Sequence, residues 1–253
     1  MLAPDEYTAD RSLKGKLRRR LVRLQSRRPA RVALERPMVS FSFDDAPVTA
    51  VETAGAMLEA RGARGTYFIS AGLAGQDSRM GRYATREQVR AAGARGHEIG
   101  CHTFSHLDCG AADGAAIAGD IARNDQALRD WGLAPTTTFA YPYGDVCPAS
   151  KTIAGRRFRL ARALHHGLVE TGADLNQAPA VGIEGSDGLD VALRWLQRAV
   201  ERKAWLILYS HDVRPEPSPV GCTPQDLALL LDAALAADVD VVTVAEGVRR
   251  IGA

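Results

Sequence analysis

Long apolar runs are absent from this chain of 253 residues, of which 46% are hydrophobic and 25% are charged. No run approaches the roughly 18–20 residues that a helix needs to span a bilayer, so we expect no transmembrane segment. The composition is otherwise ordinary for a folded domain, which argues against disordered and fibrous proteins. Charged residues such as Asp5, Glu6 and Asp10 stand where the apolar part of a signal peptide would lie, so we expect no export signal and a cytoplasmic protein.

Cysteine is too sparse and scattered for a disulfide framework. The four cysteines, Cys101, Cys109, Cys147 and Cys222, include no CxxC pair. Because we also expect no export signal, the sequence predicts four free thiols in a reducing compartment.

The net charge is small, at +2, but its distribution is uneven. Residues 1–36 contain 11 lysines and arginines and four acidic residues, a net charge of +7, so residues 37–253 carry −5. A mildly acidic body argues against a general nucleic-acid-binding protein. We therefore expect no nucleic acid partner, and treat residues 1–36 as a basic arm.

The basic arm has leucines at helical spacing. Leu13, Leu17, Leu21 and Leu24 recur every three or four residues among arginines and lysines. This pattern predicts a short amphipathic helix that ends in residues 26–29. Three alternatives stay open for it: docking on the protein body, lying on an anionic membrane surface, or contacting a partner or an acidic polymer.

After the arm, short apolar runs alternate with helical patterns. The predicted strands are residues 38–43, 66–70, 97–101, 137–141, 159–164, 205–210 and 239–244. The predicted helices are residues 48–61, 85–95, 115–131, 189–202 and 223–237. Such alternation predicts a parallel sheet in an α/β fold, and seven or eight strands could close into a barrel. No linker interrupts residues 37–253, so we expect one domain with its active site at the carboxyl ends of the strands.

Two adjacent carboxylates, Asp44 and Asp45, follow the first predicted strand. Carboxylates in this position are costly unless they are solvated, hydrogen-bonded or bound to a cation. The alternative is structural, in which one aspartate caps the next helix.

Two of the six histidines, His102 and His106, follow the third predicted strand. Four residues apart on a helical face, they would be close enough to chelate one metal ion. With Asp44 or Asp45 they would offer two nitrogens and one oxygen and leave a position for water, which is typical of catalytic zinc. By itself, a pair at this spacing is more often without a metal.

A third polar strand end is His211, directly after the apolar run at residues 205–210. Its imidazole should reach the same rim as the other polar strand ends, and Asp212 is a candidate to orient it. A buried histidine with its hydrogen bonds satisfied is the alternative.

These motifs resemble those of the polysaccharide deacetylases, the NodB-homology group of carbohydrate esterase family 4. In order along the chain, the matching segments are residues 42–45 (SFDD), 96–100 (GHEIG), 102–106 (HTFSH), 141–144 (YPYG) and 208–211 (LYSH). The resemblance implies a distorted (β/α) barrel, usually of seven strands. It also implies a metal-dependent hydrolase of non-peptide carbon–nitrogen bonds.

The resemblance also implies roles for individual residues. Asp45, His102 and His106 match the metal ligands, normally for zinc and in some relatives for cobalt or nickel. Asp44 matches the general base, and His211 matches the catalytic acid.

The other matching positions concern the substrate. The backbone N–H of Tyr143 matches the group that helps to hold the oxyanion. Leu208 matches the apolar residue that receives the acetyl methyl group. Tyr141 and Pro142, from the same motif as Tyr143, are expected to line the substrate site.

One family position differs here. Many relatives have an arginine that orients the base where this chain has Ala140. We expect Arg162, on the next predicted strand, to supply the guanidinium, although an ordinary surface arginine is the alternative. The family's fourth motif, an aspartate that tunes the catalytic histidine, is not recognisable, and Asp174 is its weak candidate.

The function that we predict is removal of acetyl groups from N-acetylhexosamine units of a bacterial glycan. An enzyme inside the cell would act on a lipid-linked oligosaccharide, as in exopolysaccharide or adhesin synthesis, with the basic arm at the inner membrane. The alternatives are a deformylase of an amino-sugar lipid, an amidohydrolase of a small amide and a non-catalytic glycan-binding module. Release of acetate, formate or ammonia would distinguish them. The sequence does not indicate which oligomeric state the protein has.

Overall fold

The computed structural model describes residues 20–253 and is built around parallel strands. These strands are β1 (Met38–Asp44), β2 (Thr66–Ile69), β5 (Glu98–Cys101), β6 (Thr138–Ala140), β7 (Leu160–Arg162), β8 (Val181–Gly182), β9 (Trp205–Ser210) and β10 (Asp240–Val241). Their order across the sheet is β7-β6-β5-β2-β1-β9-β8, with β10 also paired to β1. A separate antiparallel pair consists of β3 (Asp77–Ser78) and β4 (Gly81–Arg82).

The curled sheet is closed by the backbone of Ala178. Its N–H donates to the carbonyl of Ala161 (2.8 Å), and its carbonyl accepts from the N–H of Ala163 (2.9 Å), so it pairs with the β7 edge. Three residues later the chain enters β8, which pairs with β9. The prediction of a single-domain, distorted (β/α)7-type barrel is therefore confirmed.

Helices cover the outside of the barrel. They are a π-helical turn (Ala50–Ala54) that continues into α1 (Gly55–Glu59), then α2 (Arg86–Ala94), α3 (Gly114–Asp130), α4 (Pro148–Arg157), α5 (Gly188–Arg202), α6 (Pro224–Ala236) and α7 (Val244–Arg250). Three of them begin with reciprocal caps, Thr85 with Gln88, Cys147 with Ser150 and Thr223 with Asp226. Each cap satisfies backbone N–H groups that have no partner within the helix. Within residues 20–253, no helix has the length and apolar character needed to cross a bilayer.

Alternation along the strands separates two apolar regions. On β9, Leu206 and Leu208 pack in the layer between sheet and helices. Trp205, Ile207 and Tyr209 point to the opposite face, into the barrel interior. Because the face changes with every residue, a shift of one position decides whether a side chain can reach the barrel's active rim.

The carboxyl-terminal part departs from the prediction. Residues 239–244 were expected to form a strand, but β10 has two residues and α7 begins at Val244. The side chain of Thr243 accepts a hydrogen bond from Glu246 N and caps α7. A β-branched apolar run therefore misled the strand prediction, because the threonine inside it begins a helix.

The described part of the basic arm packs on the barrel. Lys151, fully buried, donates its Nζ to the carbonyl of Val22 and lies 2.7 Å from a carboxylate oxygen of Asp174. The same carboxylate accepts from Arg28 N, and Ala30 N donates to Ala173 O (2.7 Å). Residues 20–22 are helical and residues 23–26 form a turn, so the helix ends before Leu24, while the part of the predicted arm helix from Leu13 to residue 19 lies outside the described residues.

Candidate active site

Polar side chains gather at the carboxyl ends of the parallel strands. Asp44 ends β1 and Arg162 ends β7, while His102 and His211 directly follow β5 and β9. Because parallel strands all end on the same side of a barrel, the three polar strand ends predicted from the sequence face one rim.

Asp45, His102 and His106 form a compact set of candidate metal ligands. Each offers one ligand atom, and these atoms all lie within 4.8 Å of one another. Asp45 Oδ1 is 3.9 Å from His102 Nε2 and 3.6 Å from His106 Nε2. Two imidazole nitrogens and a carboxylate oxygen suit zinc and neighbouring divalent metals.

The state of the histidines fits metal binding. His102 Nδ1 lies 2.7 Å from the carbonyl of Ala140, which can only accept, so Nδ1 carries the proton and Nε2 presents its lone pair to the site. Burial lowers the pKa of His102, and also that of His106, to about 4. Both imidazoles are therefore neutral near pH 7, as a metal ligand must be.

The two histidines do not lie on a helix, so that part of the prediction is wrong. Thr103 and His106 have positive φ angles of 61° and 56°. Asp120, on α3, accepts hydrogen bonds from the backbone N–H groups of Phe104 and Ser105, each 2.9 Å long. A tight loop held by this buried carboxylate thus brings the two imidazoles together, with ring centroids 4.9 Å apart.

Backbone strain is concentrated at this rim. Asp45, Ala46, Thr103, His106 and Tyr143 all have φ between 48° and 61°, a region that residues other than glycine rarely adopt. Such strain persists where the surrounding structure imposes it, and it clusters at functional sites.

Asp44 is buried and is held by an arginine. Nη2 of Arg162 contacts both carboxylate oxygens, and the guanidinium lies over the rings of Phe68 and Tyr209, at 5.2 and 5.1 Å. Burial alone would raise the pKa of Asp44, but Arg162, His102 and His211 outweigh it, so the pKa lies below its usual value. Asp44 is therefore an ionised carboxylate at neutral pH.

Sheet register explains how Arg162 reaches Asp44. Arg162 on β7 pairs with Ala140 on β6, the position where many relatives have arginine. Residues paired across neighbouring strands project to the same side at the same height. The small, fully buried Ala140 leaves space there, so the guanidinium comes from the next strand. The structure thus places Arg162 where the sequence analysis expected it.

His211 lies at the same rim, but Asp212 does not orient it directly. Nδ1 of His211 is 3.1 Å from the carbonyl of Val220. The carboxylate of Asp212 instead accepts from Ser218 N and Ser218 Oγ, at 2.9 and 2.5 Å. Ser210 and Phe43, the residues directly before His211 and Asp44, pair in register on β9 and β1, so His211 and Asp44 stand side by side at neighbouring strand ends.

The predicted oxyanion residue lies beside the metal ligands. The ring of Tyr143 packs edge-on against the ring of His106, with centroids 4.4 Å apart. Tyr143 sits with φ at 60° in the 3₁₀ turn Pro142–Gly144, which begins one residue beyond the end of β6. Buried Pro142 begins this turn and so helps to set the Tyr143 backbone.

Two predicted substrate residues are not brought to the site. Tyr141 is 1% exposed, and its hydroxyl donates to the carbonyl of Asn176 (2.8 Å). Leu208 is fully buried between sheet and helices, on the face away from the barrel interior. Its neighbour Tyr209 points inward instead, because side chains alternate along a strand.

Asp174, the weak candidate for the fourth motif, is also placed elsewhere. Its carboxylate pairs with Lys151 and with Arg28 N, where the basic arm packs on the barrel. It therefore stabilises the docked arm and is occupied there.

Glu184 is a residue near the rim that the sequence did not predict. It stands two residues after β8, and its Oε1 accepts from the hydroxyl of Tyr209 (2.9 Å). Burial raises its pKa, while His211 lowers it. A carboxylate directly after the apolar run 178–183 was the available signal, but its strand was not predicted. A Cβ at Gly182 would lie 3.0 Å from both Glu184 and the Tyr209 hydroxyl, so glycine leaves space for this pair.

Comparison with known proteins decides the family. The family model for polysaccharide deacetylases matches residues 31–156, which include Asp44, Asp45, His102 and His106 in their observed arrangement. The chain belongs to the polysaccharide deacetylase family. Members are hydrolases of non-peptide carbon–nitrogen bonds and depend on a metal, so the predicted enzyme class is confirmed.

Solved structures give this polysaccharide deacetylase family member the same fold. A protein from Mycobacterium smegmatis described as a polysaccharide deacetylase has a TM-score of 0.67 and 17% identity, covering 90% of this chain and 95% of that chain. The Xyl-CE4 domain of a multidomain xylanase from the hindgut metagenome of Trinervitermes trinervoides has a TM-score of 0.61 and 17% identity. The match covers 86% of this chain and 92% of that chain. The chitin deacetylase of Colletotrichum lindemuthianum has a TM-score of 0.60 and 18% identity, and the match covers 85% of this chain and 89% of that chain. No curated protein matches the chain significantly.

Proposed function

We propose that this chain is a zinc-dependent N-deacetylase of N-acetylhexosamine units in a bacterial glycan. The observation that carries the proposal is the pairing of two units at one rim: the Asp45, His102 and His106 set, and the buried Asp44 held by Arg162. Cobalt or nickel would fit the same ligands. When bound, the cation supplies a Lewis acid that polarises the amide carbonyl and acidifies a water molecule.

The protein's own groups supply the proton transfers. Asp44 accepts the proton of the attacking water, because its ionised carboxylate is ready at neutral pH. The N–H of Tyr143 donates to the oxyanion as the new carbon–oxygen bond forms. His211 gives a proton to the sugar nitrogen as the carbon–nitrogen bond breaks, which releases acetate and a free amine.

The proposed substrate is an N-acetylated glycan. One structural neighbour is a chitin deacetylase, which supports a polymer of N-acetylated amino sugars as the substrate. We propose that the substrate is a lipid-linked precursor on the cytoplasmic side, of the kind used for exopolysaccharide or adhesin synthesis. Such a substrate would present its acetamide near a membrane surface.

The exposed part of the basic arm supports peripheral contact with that membrane. Leu21 and Leu24 are 49% and 73% exposed, and the arginines beside them, Arg20 and Arg23, are exposed too. Apolar and cationic side chains exposed together favour an anionic bilayer surface. We propose residues 1–36 as this arm and residues 37–253 as the catalytic domain.

Acetate release from an N-acetylglucosamine oligomer tests the proposal. The zinc-loaded wild type is expected to release acetate, and Asp44→Asn to lose about 10²–10⁴-fold in kcat, the usual contribution of a general base. Zinc content measured by mass spectrometry should be the same in both, since Asp44 is not among the proposed ligands. The exposed Asp77→Asn is a matched control with unchanged activity.

The same assay distinguishes the alternatives. Formate from an amino-sugar lipid would identify a deformylase, and ammonia from a small amide would identify an amidohydrolase. Oligomer binding with zinc present but no turnover would indicate a glycan-binding module and would contradict the proposal. Equal turnover by Asp44→Asn and wild type, with zinc retained, would remove Asp44 from its role.

A further inference from the structure

Asp212 lies next to His211 in the chain but is turned away from it. The side chain of Asp212 is fully buried, and one carboxylate oxygen lies 2.8 Å from Nε of Arg214. Ser218, also buried, donates to this carboxylate through its backbone N–H (2.9 Å) and its hydroxyl (2.5 Å). Because several donors hold this buried side chain, it can serve as a fixed point for the loop that returns to it.

The same loop supplies the partner of His211. The carbonyl of Val220 lies 3.1 Å from His211 Nδ1. Ser218 holds the backbone on both sides of this carbonyl. Its hydroxyl is 3.4 Å from Val220 N, and its carbonyl accepts from Gly221 N (3.0 Å). Contacts thus run without a gap from the Asp212 carboxylate through Ser218 and Val220 to the His211 ring.

Close packing fixes the path of the loop between Asp212 and Cys222. A Cβ at Gly221 would lie 2.4 Å from Asp212 Oδ1 and 2.5 Å from the Asp212 carbonyl oxygen, so the chain passes directly over the carboxylate. Cys222 N donates to the carbonyl of Asp212 (3.0 Å) and closes the loop. Val213 N donates to Thr49 Oγ1 (3.2 Å), which ties the loop to the segment that follows Asp44 and Asp45.

This arrangement determines which ring nitrogen of His211 holds the mobile proton. A backbone carbonyl can only accept, so the bond to Val220 fixes the proton on Nδ1. Nε2 is then the atom that takes up and delivers a proton. A shift of the Val220 carbonyl would release the ring, and the imidazole would lose both its orientation and its tautomer.

We infer that Asp212 is a positioning residue for His211 and acts through Ser218 and the Val220 carbonyl. The inference rests on the proposed function, in which His211 protonates the departing sugar nitrogen. Asp212 does not touch the reacting atoms. Its role is to keep the proton donor aimed at the leaving group.

Leaving-group dependence tests this role in the full-length, zinc-loaded protein. Asp212→Asn places an amide N–H₂ among the donors that face this carboxylate, so the loop shifts. We expect a loss of about 10- to 100-fold in kcat on an N-acetylglucosamine oligomer with KM unchanged, the usual scale for a positioning partner. Hydrolysis of 4-nitrophenyl acetate should change less than 2-fold, because its phenolate leaves without a proton. Asp77→Asn serves again as the exposed control.

Two further measurements separate positioning from a general loss of structure. In a His211→Ala background, Asp212→Asn should cause no additional loss, because its effect passes through the imidazole. Long-range proton–nitrogen NMR of the histidine rings should show His211 protonated at Nδ1 in the wild type and a changed tautomer population in Asp212→Asn. The tautomer measurement needs no substrate, so it decides the inference even if the wild type releases no acetate.

Three results would overturn the inference. The first is an equal loss on the amide and on the aryl ester. The second is a full additional loss in the His211→Ala background. The third is an unchanged His211 tautomer in Asp212→Asn. Absence of acetate release by the wild type, with the tautomer shifted in the variant, would instead reject the proposed function and leave the positioning contact standing.

Discussion

Asp44 shows how neighbouring charges overcome burial. Burial raises the pKa of its carboxyl, while neighbouring groups, of which Arg162 has the largest effect, lower it and prevail. Arg162 makes the direct contact and is itself fully buried. The protonation state of the proposed base therefore depends mainly on one guanidinium.

Replacement of that guanidinium should shift the pH dependence of the reaction. In Arg162→Met, burial is no longer opposed by the arginine, so the pKa of Asp44 rises. The acidic limb of kcat/KM should move to higher pH, because the base must be ionised to act. A pH profile of acetate release measures this, with the exposed Arg156→Met as the matched control.

A rescue variant tests the geometry behind this shift. Ala140 and Arg162 pair across β6 and β7, so Ala140→Arg combined with Arg162→Ala returns a guanidinium to the same height from the other strand. This double variant should recover part of the wild-type acidic limb. A profile identical to that of Arg162→Ala alone would show that register does not control the contact.

At the scale of elements, helix packing depends on where glycine permits close approach. A Cβ at Gly247, in α7, would lie 2.4 Å from the ring of the fully buried Trp205. Gly119, in α3, has no atom within 4 Å of such a Cβ. The two glycines therefore have opposite physical roles, although both occupy helices.

Alanine at these two positions should have opposite effects on stability. Gly247→Ala should lower the free energy of unfolding by about 1–3 kcal/mol, because α7 must move off Trp205. Gly119→Ala should raise it by about 0.5–1 kcal/mol, since alanine loses less backbone entropy in a helix. Urea unfolding curves measure both, and a stabilised Gly247→Ala would contradict the packing described for α7.

At the scale of the whole molecule, the basic arm is divided into two parts. Residues 22–30 are bound to the body by Lys151, Asp174 and Ala173, so removal of all of residues 1–36 would leave buried Lys151 without the Val22 carbonyl. A membrane test must therefore preserve these contacts.

A truncated variant can separate membrane contact from folding. Deletion of residues 1–19 together with Arg20→Gln and Arg23→Gln removes seven basic residues and keeps the packed part. Binding to vesicles that contain phosphatidylserine should fall at least 10-fold relative to the full chain, and full-chain binding should weaken with salt. Neutral phosphatidylcholine vesicles are the control. Equal binding of both proteins to anionic vesicles would contradict the proposed membrane contact.

The sequence by itself determined much of this protein. The hydrophobic pattern predicted the parallel α/β fold, since a strand buried on both faces, such as β9, is apolar over most of its length. The local motifs placed Asp44, Asp45, His102, His106 and His211 at strand ends, because strand–helix alternation puts every such end on one rim. Those features depend on neighbours in the chain.

Tertiary structure decided what depends on contacts between distant segments. Sheet register brought Arg162 to Asp44, and strand alternation turned Leu208 away from the barrel interior while Tyr209 faced it. In the loop after His211, the Val220 carbonyl contacts the imidazole in place of the expected Asp212. Glu184 lies near the rim just after β8, a strand of two residues that is too short to be predicted from the sequence. A pattern along the chain carries no information about register between strands or about how a loop folds back, so these contacts appear only once the barrel has closed.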